Sequence, residues 1–208
     1  VLSDEIYARL VFDGLTAPRW AARGFAGVAD DGAVAEARRL LAAGRGLLVL
    51  TGHLGCWELL GAFLAARLGG LTVVTGTVHN PPVDRLVNAQ RRALGLTPVA
   101  REGDLRPVLR ALHGGGAVAV LLDQNTRVAN VDVPFFGRPA PTPAGFARLA
   151  LRTGAPVLPV AIRREGAGHR VVHLPALARP GGDGPEAVYS LLGAGNAALE
   201  ALIRQDRK

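Results

Sequence analysis

The chain contains a single cysteine, Cys56, so no disulfide can form within it and a zinc site built on thiolates lacks ligands. One thiol fits a reducing compartment. Methionine is absent altogether, so the chain reads as a fragment or a processed form. No apolar run approaches the ~18 residues of a membrane-spanning helix, and no signal-peptide pattern opens the chain. A role at a membrane therefore calls for contact from one side, or for an anchor outside these residues. Aromatic residues make up only 5%, and no arginine–aromatic stripe offers a stacking platform for nucleic acid. A Gly-x-Ser-x-Gly elbow is missing, which argues against an α/β hydrolase with its own serine nucleophile. Repeats, low-complexity tracts and linkers are also missing.

What is present describes a globular protein. Hydrophobic residues are 49% and charged residues 20% of 208, enough for one domain with a sizeable core. The net charge is +7 and the isoelectric point about 11.0, carried almost wholly by arginine, since Lys208 is the lone lysine. Such a balance suits an anionic partner: a phospholipid surface, a phosphorylated substrate, an acidic carrier protein or nucleic acid.

Hydrophobic patterning gives an alternation of helices and strands. Ser3 to about Ala22 carries helical apolar spacing interrupted at Pro18, and a second helix runs over Ala33 to Ala43. Strands are expected at Gly46–Leu50, Leu71–Thr77, Thr97–Ala100, Ala117–Leu122, Val131–Phe136, Pro156–Ile162 and Arg170–Leu174. Helices are expected at Leu59–Leu68, Val83–Leu94, from the Asp104 cap through Leu112, from Pro143 through Thr153 with Thr142 as its cap, and at Pro185–Arg204. Gly137 to Pro143 reads as a rigid loop. This order predicts a three-layer α/β domain with a mixed, largely parallel central sheet flanked by helices. Residues 1–45 form a helical amino-terminal part and 46–204 the core of a single domain.

The chemistry centres on Thr51-Gly52-His53-Leu54-Gly55-Cys56-Trp57-Glu58. A buried strand leads into it and a helix leads out, so His53 is expected at the carboxyl edge of the sheet, where open α/β sheets hold ligands. Glu58 is expected just over one turn inside the helix, within reach of the ring. An imidazole held by a carboxylate can take a proton from an alcohol that attacks an acyl carbon. The alternative is a histidine and an acid that merely hold a turn together. His79 lies in a loop after a strand, where an exposed histidine is the commoner case. Asp123 and Gln124 again follow a buried strand, on the same sheet edge. The helix start near Pro143 offers amides to an anion.

These stretches together resemble the bacterial lipid A biosynthesis acyltransferase family, within the wider glycerolipid acyltransferase superfamily with its His-x-x-x-x-Asp/Glu motif. The resemblance rests on Thr51 to Glu58, on Asn80-Pro81 through Arg91, on Asp123-Gln124, and on Val133-Pro134-Phe135-Phe136-Gly137-Arg138-Pro139-Ala140-Pro141-Thr142-Pro143-Ala144-Gly145 with the following Leu149-Ala150, Thr153-Gly154-Ala155 and Pro159. It implies a glycerolipid acyltransferase-like fold, with His53 as general base and Glu58 as its orienting partner. It implies substrate contacts from Asp123, Gln124 and the loop holding Phe136, Gly137, Arg138 and Thr142. Gly55 and Cys56 are candidates for the oxyanion, and Arg101 and Arg148 complete the candidate substrate-binding set. Cys56 stands where that family commonly has asparagine. The implied co-substrate is an acyl thioester, on acyl carrier protein or coenzyme A, with no cofactor and no metal. The implied acceptor is a lipid A precursor or related glycolipid. Other lipid acceptors serve the same dyad: a phosphatidylinositol mannoside, an ornithine lipid or lysophosphatidate. The expected place of work is the cytoplasmic face of the bacterial inner membrane, reached peripherally or through a missing anchor. A basic module that binds membrane or nucleic acid without catalysis is the rival reading, with nucleic acid disfavoured as a partner.

Overall fold

The computed structural model describes residues 18–78, 80–124 and 129–206. Most of the first expected helix, and His79, lie outside them. Nine strands and six helices are labelled here in chain order: β1 (Val28–Asp30), α1 (Ala33–Leu41), β2 (Leu47–Thr51), α2 (Trp57–Leu68), β3 (Leu71–Thr75), α3 (Pro81–Ala93), β4 (Leu96–Ala100) and α4 (Arg106–His113). They continue with β5 (Ala117–Leu121), β6 (Asn130–Phe135), β7 (Arg138–Pro143), α5 (Gly145–Thr153), β8 (Val157–Glu165), β9 (Gly168–His173) and α6 (Pro185–Asp206).

Seven strands form one sheet in the order β1-β9-β8-β2-β5-β3-β4. All neighbours run parallel except β8 and β9, a hairpin. The mixed, largely parallel three-layer architecture read from the sequence is the one observed. Its centre, β2, is buried at every position, as a strand covered by helices on both faces must be. Side chains alternate across it: Leu48 and Leu50 enter the core beneath α4, α5 and α6, whereas Leu47 and Val49 enter the core beneath α1 and α2. Residues 28–30, between the two helices expected in the amino-terminal part, add a strand, β1, beside β9. Three residues are too few to show a periodicity.

The stretch from Asn130 to Pro143 departs most from expectation. In place of a strand and a rigid loop, β6 and β7 pair antiparallel from Asn130↔Pro143 to Phe135↔Arg138. Three prolines occupy β7 (Pro139, Pro141 and Pro143), which read as loop because proline cannot donate to a ladder. A two-stranded ribbon has only one paired side, so prolines tolerate its open side. Thr142 does not cap α5, whose preceding residue is Ala144. The Thr142 hydroxyl is buried in β7, where it donates to the Ala140 carbonyl and accepts from Asn196 Nδ2 at 3.1 Å. Asn196 also donates to the Pro134 carbonyl, so α6 pins both strands of the hairpin.

Candidate active site

Strand register builds the site. Leu47↔Ala117 through Thr51↔Leu121 pair in step between β2 and β5. Two residues past the last pair on each strand stand His53 and Asp123, side by side on the carboxyl edge. Asp123 grips His53 twice: Oδ2 accepts the His53 backbone N–H at 2.7 Å, and Oδ1 lies 2.9 Å from the ring Nδ1. Two glycines make room for this. A Cβ on Gly52 would come within 2.9 Å of Asp123 Oδ2, and one on Gly55 would stand 2.0 Å from the Ile162 carbonyl oxygen. Gly55 also holds φ +58, which favours glycine. The glycines of the Thr51–Glu58 motif are thus fixed by a carboxylate on one side and by β8 on the other.

The remaining ring atoms are equally constrained. Arg101 Nη1 donates to Gln124 Oε1 at 2.7 Å, and Gln124 Nε2 lies 3.1 Å from His53 Nε2. A guanidinium only donates, so the Gln124 oxygen faces Arg101 and its NH2 faces the ring. An NH2 only donates, so His53 Nε2 accepts and the ring proton sits on Nδ1, donating to Asp123. His53 and Trp57 meet in a T-shaped contact with ring centroids 4.8 Å apart. Arg101 is itself held by Glu102, with Nη2 and Nε reaching Oε1 at 2.8 and 3.2 Å. Burial pushes the Glu102 carboxyl up, but the Arg101 hydrogen bond and charge, with a backbone amide and the Thr77 hydroxyl, bring it below its ordinary value.

Glu58, expected from the resemblance to orient His53, is paired in the structure with Arg91, and the carboxylate on the His53 ring is that of Asp123. Glu58 lies in the first turn of α2, earlier than just over one turn in, and pairs with Arg91 of α3 through Arg91 Nη2–Glu58 Oε1 and a second contact from Nε at 3.2 Å. Both side chains are nearly buried, Glu58 at 9% and Arg91 at 13% exposure. Asn88 continues the chain, accepting from Arg91 and donating to Asp84, whose other oxygen accepts the Val78 amide. The pair therefore ties α2 to α3 and to the segment after β3.

Between α2, α3 and the sheet lies a cavity of about 440 Å³, within the ~300–1,000 Å³ range of small-molecule sites. His53, Gln124, Arg101, Glu102, Glu58 and Arg91 stand among its lining residues. Its body is apolar, formed by Leu60, Gly61, Leu64, Leu71, Val87 and Leu96.

Of the residues singled out from the sequence, the structure gathers His53, Asp123, Gln124 and Arg101, with Glu58 beside the cavity. Gly55 and Cys56 form the turn before α2. Phe136, Gly137, Arg138, Thr142 and Arg148 are not among the residues lining this cavity. Phe136 is exposed at the hairpin turn, its amide bonded to Glu200 Oε1 at 2.8 Å and its ring 5.2 Å from the Arg204 guanidinium. Arg148 is exposed on α5. Asp123 was visible in the sequence as a polar residue after a buried strand, but not as the partner of His53. Aligning Leu50-Thr51-Gly52-His53 with Val120-Leu121-Leu122-Asp123 as neighbouring strands is the signal that finds it.

Among the described residues, no group of three or more histidine, cysteine, aspartate or glutamate side chains could hold a metal ion. Nor is any helix there long and apolar enough to cross a membrane.

The site is thus a carboxylate-held histidine on the carboxyl edge of an α/β sheet, lining a largely apolar cavity. The family model of the bacterial lipid A biosynthesis acyltransferases matches residues 7–206, and the chain belongs to that family. It is 31% identical over 147 residues to phosphatidylinositol mannoside acyltransferases of two strains of Mycobacterium tuberculosis. It is 30% identical over the same length to that of Mycolicibacterium smegmatis. These alignments cover 69% of this chain and 46–48% of the relatives. The chain spans about half the length of the curated relatives it matches.

Proposed function

We propose that this protein transfers a fatty acyl chain from an acyl thioester to a hydroxyl group of a membrane glycolipid, without an acyl-enzyme. The observation that supports it most is the pairing of His53 Nδ1 with Asp123 in a histidine that lines a largely apolar cavity. The acceptor hydroxyl gives its proton to Nε2 and its oxygen bonds the thioester carbonyl carbon. The C–S bond then breaks and the leaving thiolate recovers the proton from Nε2, giving ester and thiol. Asp123 holds the ring and stabilises its transient positive charge. The first amides of α2, after Gly55 and Cys56, have no partner within the helix and face developing negative charge favourably. The cavity takes the acyl chain.

Acyl carrier protein and coenzyme A thioesters are both anionic, as is a phospholipid surface, and a net charge of +7 suits all three. A peripheral position at the cytoplasmic face of the inner membrane follows from a lipid acceptor meeting such a donor. The relatives' names favour a phosphatidylinositol mannoside as the first acceptor to try, with a lipid A precursor second. The test supplies a labelled long-chain acyl thioester with each acceptor in turn. Wild type forms labelled lipid, and His53→Ala loses about 10²–10⁴-fold in rate, the range of general-base catalysis. A folded His53→Ala protein with near-normal transfer would refute the mechanism.

A further inference from the structure

The base nitrogen of His53 carries a hydrogen bond from Gln124. Nε2 has a single lone pair, and the Gln124 amide at 3.1 Å uses it. An acceptor hydroxyl that is to surrender its proton there has to take the amide's place. Arg101, with its 2.7 Å bond to Gln124 Oε1, keeps the amide turned with its donor towards the ring. Arg101 is in turn fixed by Glu102. The far nitrogen of the ring is held by Asp123, and Trp57 packs against the ring in a T-shaped contact.

Resting on the acyltransferase reading above, we propose that Gln124 caps the base nitrogen and withholds it from water until an acceptor hydroxyl displaces the amide. Arg101 is the positioning residue that keeps the cap in place. The chemistry at stake is a side reaction. Water reaching an open Nε2 gives up a proton to it and bonds the carbonyl carbon through oxygen. The C–S bond breaks and the thiolate recovers the proton, so thioester and water become carboxylic acid and thiol. The same steps with an alcohol yield an ester. Water gains little beyond the hydrogen bond it would replace, whereas a lipid acceptor brings binding energy from the rest of its structure to displace the amide. The cap therefore biases the partition of the thioester towards transfer.

The experiment measures thiol release and ester formation together, with palmitoyl-coenzyme A and a mixed bacterial lipid extract, with and without the lipid. Gln124→Ala and Arg101→Met are expected to raise the ratio of hydrolysis to transfer about 2- to 10-fold, the weight of one hydrogen bond. Arg101→Lys, which also only donates, restores the ratio towards wild type. A residue that merely supports the fold would lower both activities together. An unchanged or lower ratio in folded Gln124→Ala overturns the proposal.

A second readout needs neither activity nor variants of the cap. In histidine-labelled wild type, ¹⁵N spectra of the neutral ring should show His53 with Nδ1 protonated and Nε2 bare, assigned by the signal lost in His53→Gln. A neutral ring protonated on Nε2 overturns the cap even if the cap variants do not fold. If wild type consumes no thioester, the acyltransferase reading falls and the ¹⁵N spectrum alone judges the cap.

Discussion

Glu58 and Arg91 are ion-paired across α2 and α3, nearly buried, at the wall of the cavity. Removing one member strands the other. Arg91→Met leaves a buried carboxylate without a countercharge and should cost about 3–5 kcal/mol in urea unfolding. Glu58→Leu combined with Arg91→Leu should recover most of that loss, since an apolar replacement of a whole pair is often neutral. A single Arg91→Met variant as stable as wild type would show the pair to be idle.

The two motif glycines should fail in different ways. Gly55→Ala drives its Cβ into the Ile162 carbonyl, a backbone atom that cannot swing aside, at a positive φ. It should lower the melting temperature sharply or abolish folding. Gly52→Ala instead meets the Asp123 carboxylate, a side chain that can rotate away. It should fold but lose turnover, because the carboxylate leaves His53. Thermal melting and transfer rate, measured on both, separate the two.

Gly61 lies on the helical wall of the cavity, where an added Cβ would make ordinary contact with Leu96 at 3.5 Å. Gly61→Leu should therefore fold and occupy cavity volume. Long acyl thioesters should lose about 10-fold or more in kcat/KM relative to short ones, the discrimination that a few methylenes command in an apolar pocket. An unchanged chain-length profile would place the acyl chain elsewhere.

Acid should loosen the outer edge of the sheet. Glu165 is held below its ordinary value by the Arg170 hydrogen bond and charge, and Arg170 also reaches Asp31. A carboxyl lowered in the folded state stabilises fully above its ordinary value of 4.5 and loses that contribution as pH falls through the lower folded value. Stability should drop more steeply below about pH 4.5 in wild type than in Glu165→Gln. Equal losses of unfolding free energy between pH 7 and pH 3 in the two proteins, from denaturant titrations, would exclude the linkage.

Patterning carried most of the fold because β2 and β5 are short, continuous apolar runs between glycine signals, and α2 follows with few interruptions. It failed at Arg138–Pro143, where three prolines mimic a loop but sit in a two-stranded ribbon, and at Val28–Asp30, which is too short for any period. In the site, His53 was legible from its place after a buried strand. Its carboxylate partner was not, because spacing along one segment favoured Glu58 whereas Asp123 lies seventy residues away and reaches the ring through strand register. Local sequence records neighbours along a helix and is silent on neighbours across a sheet. The Gln124–Arg101 link was hidden for the same reason.

Asp123, and not Glu58, holds the His53 ring, since Glu58 is paired with Arg91. The most direct measurement compares acyl transfer from a long-chain thioester by wild type, Asp123→Asn and Glu58→Gln, each corrected for the folded fraction. Asp123→Asn should lose about 10²-fold or more, as expected when a histidine base loses its carboxylate. Glu58→Gln should lose far less per folded molecule. A folded Glu58→Gln protein as inactive as His53→Ala, beside an Asp123→Asn protein near wild type, would contradict the account.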